Sequence, residues 1–234
     1  MARIVVGFAS ASSEELAEAA ASVARALEGE LYGVFVEELS ALRLAELPFT
    51  VLIEHSGRAQ ALDVAHLEAL LRVAAARAQS ELDRAARRQR VPVSFRVTRG
   101  RLLGELTSAA GATDLILVDS AHPAPRASGG GPVTVVGRDP SGLRALLGLG
   151  AAVSGPDSVQ AIVPDTCRTE AAAWAAEAGH RLLLGRLEPG PPEALARAIE
   201  RGAPRMVLLN ASEWPESELS ALRRGLRAPI VLRR

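Results

Sequence analysis

Short apolar runs alternate with amphipathic stretches along the whole chain, and that alternation sets the fold class. Arg3-Ile-Val-Val-Gly-Phe8 is a continuous apolar run, the pattern of a strand covered on both faces. Ser12 and Glu15 have the spacing of a capping box. Leu16, Ala20, Val23 and Leu27 then mark one helical face, and Gly29 supplies a stop. A second strand is expected over 31–36. Positions 37–60 carry apolar anchors (Leu42, Leu44, Leu47, Phe49, Val51, Ile53) without a clear period, so this connection reads as an insertion, a lid or an interface element. A long helix follows from Leu62 to about Arg88. Leu67, Leu70 or Leu71, Ala74, Ala78 and Leu82 are expected inward, and the pairs Glu68–Arg72 and Arg77–Glu81 outward.

The alternation continues with strands at 91–97 and 115–118, a short helix between them ending at Gly111, and a strand at 132–136. Positions 139–157 hold Pro140, Gly142, Gly148, Gly150, Gly155 and Pro156 around a weak helical pattern, and read as a join. Beyond it come strands at 160–163, 182–184, 206–209 and 229–232. The helices between them start at Thr166, Glu193 and Glu216. Strands alternating with helices imply parallel sheets covered on both faces, an α/β architecture. The halves also resemble each other. Ala112–His122 (ATDLILVDSAH) aligns with Ala203–Glu213 (APRMVLLNASE), and Gly131–Arg138 (GPVTVVGR) with Ala228–Arg234 (APIVLRR). This implies an internal duplication. The first unit is expected at 1–140 with the insertion at 38–60, a linker at 141–157, and a shortened second unit at 158–234.

Composition narrows the chemistry. Lys+Arg and Asp+Glu are both 27, so the net charge is zero, unlike a protein that binds nucleic acid by neutralising phosphates. The sequence contains no lysine. That excludes Schiff-base chemistry and a Walker A loop, which need an amine. Cys167 is the single cysteine, so an internal disulfide and cysteine-based zinc or iron–sulfur sites are excluded, and a cytoplasmic setting fits. The opening apolar run is too short for a signal peptide. No uncharged stretch exceeds about a dozen residues, against the ~20 needed to span a bilayer. Neither a membrane nor a nucleic acid is therefore an expected partner.

The residues RIVVGFASASSEELAEAAASVARAL, RVTRGRLLGELTSAAGATDLILVDS and AIVPDTCRTEAAAWAAEAG resemble the universal stress protein superfamily in its tandem form. The resemblance implies a flavodoxin-like, Rossmann-like five-stranded sheet of order 3-2-1-4-5 in the first half and a shortened version in the second. It further implies an intrachain pseudo-dimer made through the last strand of each half. Nucleotide-binding members of that family carry an Asp after the first strand. After the fourth they carry a loop G-x-x-G followed about nine residues later by G-(S/T). In the first half the Asp position falls at about Ala9, and the loop reads DSAHPAPRASGGGPV, with prolines where glycines belong. In the second half Asp165 takes the acid position, and the loop reads NASEWPESELSALRRG, with Glu213, Glu216 and Glu218. Those carboxylates repel phosphate.

The first expectation is therefore a non-enzymatic stress-response or regulatory protein without a cofactor, acting on an unidentified protein partner, with the insertion as its distinctive surface. The second is an ATP-binding protein using what remains of the motif: Asp165, Asp119, Ser120, Ser128, Gly129, Gly130 and Gly131. A third is an enzyme, either a hydrolase using Asp119, Ser120 and His122 or a thiol sensor at Cys167. Cys167 opens a helix beside Arg168, where a thiolate gains support, and an idle buried thiol is the alternative. The four histidines lack metal-ligand spacing. Arg84, Arg87, Arg88 and Arg90 read as a solvated face with favourable helix-end charge. Further association of chains into a homodimer stays open.

Overall fold

A computed structural model describes residues 2–9, 14–45, 51–53, 59–61, 64–119, 131–155 and 157–234. The chain runs β1 (Arg3–Phe8), α1 (Glu14–Ala26), β2 (Glu30–Glu38), α2 (Leu39–Ala45), β3 (Val51–Ile53), β4 (Ala59–Ala61), α3 (Val64–Gln89), β5 (Val93–Gly100), α4 (Leu102–Ala109) and β6 (Leu115–Val118). It continues with β7 (Val133–Val136), α5 (Pro140–Ser154), β8 (Val159–Val163), α6 (Asp165–Ala178), β9 (Leu182–Arg186), α7 (Pro192–Glu200), β10 (Met206–Asn210), α8 (Glu216–Gly225) and β11 (Ile230–Arg233). A 3₁₀ turn at Ala211–Glu213 precedes α8. The insertion forms the short helix α2 and the antiparallel hairpin β3–β4.

Nine strands make a single sheet of order β5-β2-β1-β6-β11-β10-β7-β8-β9. All neighbours are parallel except β6 and β11, which run antiparallel with Leu117 opposite Val231. The two expected sheets, to be paired through the last strand of each half, form one continuous sheet. The distribution of strands between the halves is also reversed from expectation. The strand at 133–136 does not close the first half. It lies between β10 and β8, at the centre of the second array. Counting from β7, the second array reads 3-2-1-4-5 and is complete. The first array reads 3-2-1-4, and its missing fifth place is taken by β11. The two arrays therefore join through β6 and β11, not through 133–136 and 230–232. The segment expected as a linker is a regular helix, α5, capped by Asp139 and opened by Pro140. Its glycines did not break it because Gly142 and Gly150 face the packed interior.

Alternation along the strands sorts the core into two layers. Ile4, Val6, Phe8, Leu115, Leu117, Val133, Val135 and Leu208 face α1, α3, α5 and α6. Val5, Ile116, Val118, Val136, Val207, Leu209 and Leu232 face α4, α7 and α8. Every residue of β6 and β7 is buried, which explains why β6 reads as an unbroken apolar run and β7 departs from one only at Thr134, whose hydroxyl donates to Gln160 Oε1 at 3.0 Å. α3 departs from expectation on one face. Leu71 takes the inward place and Leu70 is exposed, but Glu81, expected outward, is buried with its Oε1 accepting from Arg77 Nε at 2.8 Å. Glu68 pairs with Arg99 at 2.9 Å instead of with a neighbour on its own helix. The arginine cluster at the end of α3 is partly neutralised by α1, where Arg88 meets Glu14 and Glu18.

Candidate functional site

In an open α/β sheet the ligand crevice opens at the carboxyl ends of strands on either side of the switch in strand order. The first array puts that point between β1 and β6, and the second between β7 and β10. Because β6 and β11 are antiparallel, the two arrays run in opposite senses, so the two crevices open on opposite rims of the sheet.

The second crevice is closed by its own side chains. Glu213, on the turn after β10, accepts the main-chain N–H of Arg138 through Oε2 at 2.6 Å. Its Oε1 accepts from Asn210 Nδ2 at 3.0 Å. Arg138 directly follows β7 and Gly137, so this carboxylate sits at the approach to the N-terminus of α5. That is where oriented N–H groups and the helix dipole favour a negative charge. The Arg138 guanidinium lies 3.5 Å above the Trp214 ring and donates to Glu218 Oε2 at 2.7 Å. Trp214 is buried. Gly142 completes the closure, because a Cβ there would meet Asn210 Nδ2 at 2.3 Å. Asp139 accepts from the Ser141 N–H at 2.7 Å, and this hydrogen bonding holds its carboxyl below the usual range.

The residues read as candidates from the sequence do not converge. Asp165 opens α6 after β8, the second strand of its array, and not after the first. It faces solvent and pairs with Arg186 at 2.9 Å. The acid that follows the first strand of this array is Asp139. Its signal was present in GRDPSG, but became readable only once 133–136 was known to start the array. Asp119 ends β6 on the other rim, and its carbonyl accepts from Arg223 Nε at 3.0 Å. Gly131 precedes β7, packed against Ala203 and Arg205. Asp119 and Gly131 share a rim but are separated by three strand spacings, roughly 14 Å. Ser120, His122, Ser128, Gly129 and Gly130 lie outside the described residues, as does Ser12. Cys167 is fully buried, and burial pushes its thiol up, the opposite of an activated thiolate.

A cleft of about 330 Å³ adjoins the second crevice, lined by Arg138, Pro164, Leu187, Pro189, Pro192 and Leu195 among others. Among the described residues no cluster of His, Cys, Asp and Glu has the makings of a metal site. No helix there is long and apolar enough to cross a membrane.

Among solved structures, the chain matches a universal stress protein from Archaeoglobus fulgidus with a TM-score of 0.58. The match covers 98% of this chain and 95% of that one at 10% identity. The fold is that of a universal stress protein. A second match, to MurG from Acinetobacter baumannii, has a TM-score of 0.24 at 13% identity over 89% of this chain and 72% of that one. At that score it adds nothing to the argument. Neither a protein-family model nor a curated protein matches the sequence. At 10% identity the likeness is one of fold alone.

Proposed function

We propose that this chain is a non-enzymatic regulatory protein of the universal stress protein type, made of two units at 2–119 and 131–234. In it the crevice of the second unit is closed by an internal carboxylate in place of a nucleotide phosphate. One observation carries the reading: Glu213 takes both the Arg138 main-chain N–H and the Asn210 amide, donors that a phosphate would need. A triphosphate at this place would face Glu213 and Glu218 and find Arg138 already held by Glu218 and Trp214. ATP does not fit the residues as they stand. The reading gives the insertion at 38–60 as the distinctive surface for a protein partner in the cytoplasm.

A second reading, an ATP-binding protein, is favoured by the cleft beside Arg138, whose Pro164, Leu187 and Leu195 offer an apolar wall to a flat base. Equilibrium dialysis against labelled ATP with magnesium separates the two. The first reading expects no saturable binding up to millimolar nucleotide. Saturable binding that falls in Arg138→Ala selects the second.

A further inference from the structure

The two outer edges of the sheet are treated differently. The β5 edge carries Arg96 and Arg99, both exposed, and charge on an edge opposes pairing with another chain. The β9 edge, Leu182-Leu-Leu-Gly-Arg186, carries Leu183 at 44% and Leu184 at 36% exposure, and among the described residues nothing covers it.

Its hydrogen-bonding groups can be assigned. Val159 N donates to Arg181 O, and Leu187 N donates to Val163 O. Groups alternate in direction along a parallel strand, so Leu183 and Gly185 face β8. Leu182, Leu184 and Arg186 turn their N–H and C=O groups outward, unpaired by β8.

We propose that β9 is a homodimer edge, pairing antiparallel with β9 of a second copy about a twofold axis at Leu184. In this register Leu184 meets Leu184 of the second copy and exchanges both main-chain bonds with it. Leu182 and Arg186 do the same with Arg186 and Leu182. Leu183 lies across Gly185 of the other copy, a large side chain over a position that has none, and the second Leu183 does likewise. No two arginines face each other. The strand is thus complementary to itself in shape. An isologous contact of this kind closes at two copies.

Sedimentation velocity over a range of protein concentrations tests this. The expected result is a species of twice the 24.5 kDa chain mass. Leu184→Lys places like charges on the axis and is expected to raise the dissociation constant at least ~tenfold. Leu184→Pro removes only an outward N–H, leaves the β8 ladder intact, and is expected to weaken the dimer as well. Val97→Lys, on the β5 edge, is expected to change nothing. Circular dichroism confirms that each variant is folded. A wild-type chain that stays monomeric at hundreds of micromolar overturns the proposal. So does a dimer that survives both Leu184 substitutions, or one that is lost in Val97→Lys.

Discussion

The two arrays follow the same course and differ in how each crevice is held. In the first, β1 and β6 flank the opening, and the β6 end is tied by Arg223, a residue of α8 in the second array, through the Asp119 carbonyl. In the second, β7 and β10 flank the opening, and Glu213 and Glu218, from the turn and helix after β10, close it from within. One stretch of chain, 210–225, therefore serves both. The junction is reinforced from the same half: Arg234 donates to the Thr107 carbonyl at 2.9 Å and to that of Ala110, and Arg101 pairs with Glu216 at 2.9 Å. The complete array completes the incomplete one, supplying both a fifth strand and the Arg223 side chain that ties the end of β6. An array missing an edge strand would otherwise expose the apolar run Leu115–Val118 to other chains.

The sharpest way to break this comparison is to cut the core on either side of the junction. Leu117→Ala and Leu208→Ala each remove a fully buried side chain, and each is expected to cost about 2–5 kcal/mol. Urea unfolding should remain a single transition that shifts for both. Two separate transitions, each moved by only one variant, would mean that the arrays stand independently.

A smaller effect is expected at the closed crevice. Glu213→Ala leaves the Arg138 N–H and the Asn210 amide without their acceptor, at a cost of about 1–3 kcal/mol in the same measurement. Glu213→Gln keeps an acceptor for only one of the two donors and turns an NH2 toward the other, so it should also destabilise. If alanine and glutamine are both neutral, the carboxylate does not hold the crevice. Arg223→Ala breaks one hydrogen bond to the first crevice and is expected to cost about 0.5–1.5 kcal/mol.

Two further expectations concern protonation. The Asp139 carboxyl is lowered by its hydrogen bonds to Ser141. A lowered folded-state value gives stability that is present above the unfolded aspartate pKa and lost as pH falls through the folded value. The acid limb of unfolding should therefore flatten slightly in Asp139→Asn, with little change at neutral pH. The Cys167 thiol, raised chiefly by burial, stays protonated at neutral pH. A thiol-reactive disulfide reagent should react slowly with native protein and stoichiometrically after denaturation. Rapid native reaction would return the thiol-sensor reading.

Much of the fold was legible because burial on both faces writes itself as unbroken apolar runs. β1, β6 and β10 were all placed within a residue or so, and Gly179, at φ 62° in the left-handed region, ended α6 as glycine does. The boundary between the arrays was not legible. Runs such as Val133–Val136 identify a buried strand but not its neighbours, and strand order is a long-range property. The prolines and glycines of 139–157 mimicked a linker, although Pro140 suits the first helical turn and Gly142 is required by Asn210. That error displaced the candidate acid from Asp139 to Asp165. The acidic character of 210–218 is legible in the sequence. Its pairing with Arg138 depends on β7 lying beside β10, which sequence spacing does not encode.

The amide of Arg138 reports on the central claim directly. Its proton resonance, assigned in a ¹H–¹⁵N spectrum of the wild-type chain, is expected far downfield, as a short bond to a carboxylate requires. It should stay unmoved as magnesium-ATP is added to millimolar concentration, and should shift in Glu213→Ala. A saturable shift of that resonance with nucleotide in the wild-type chain would contradict the account.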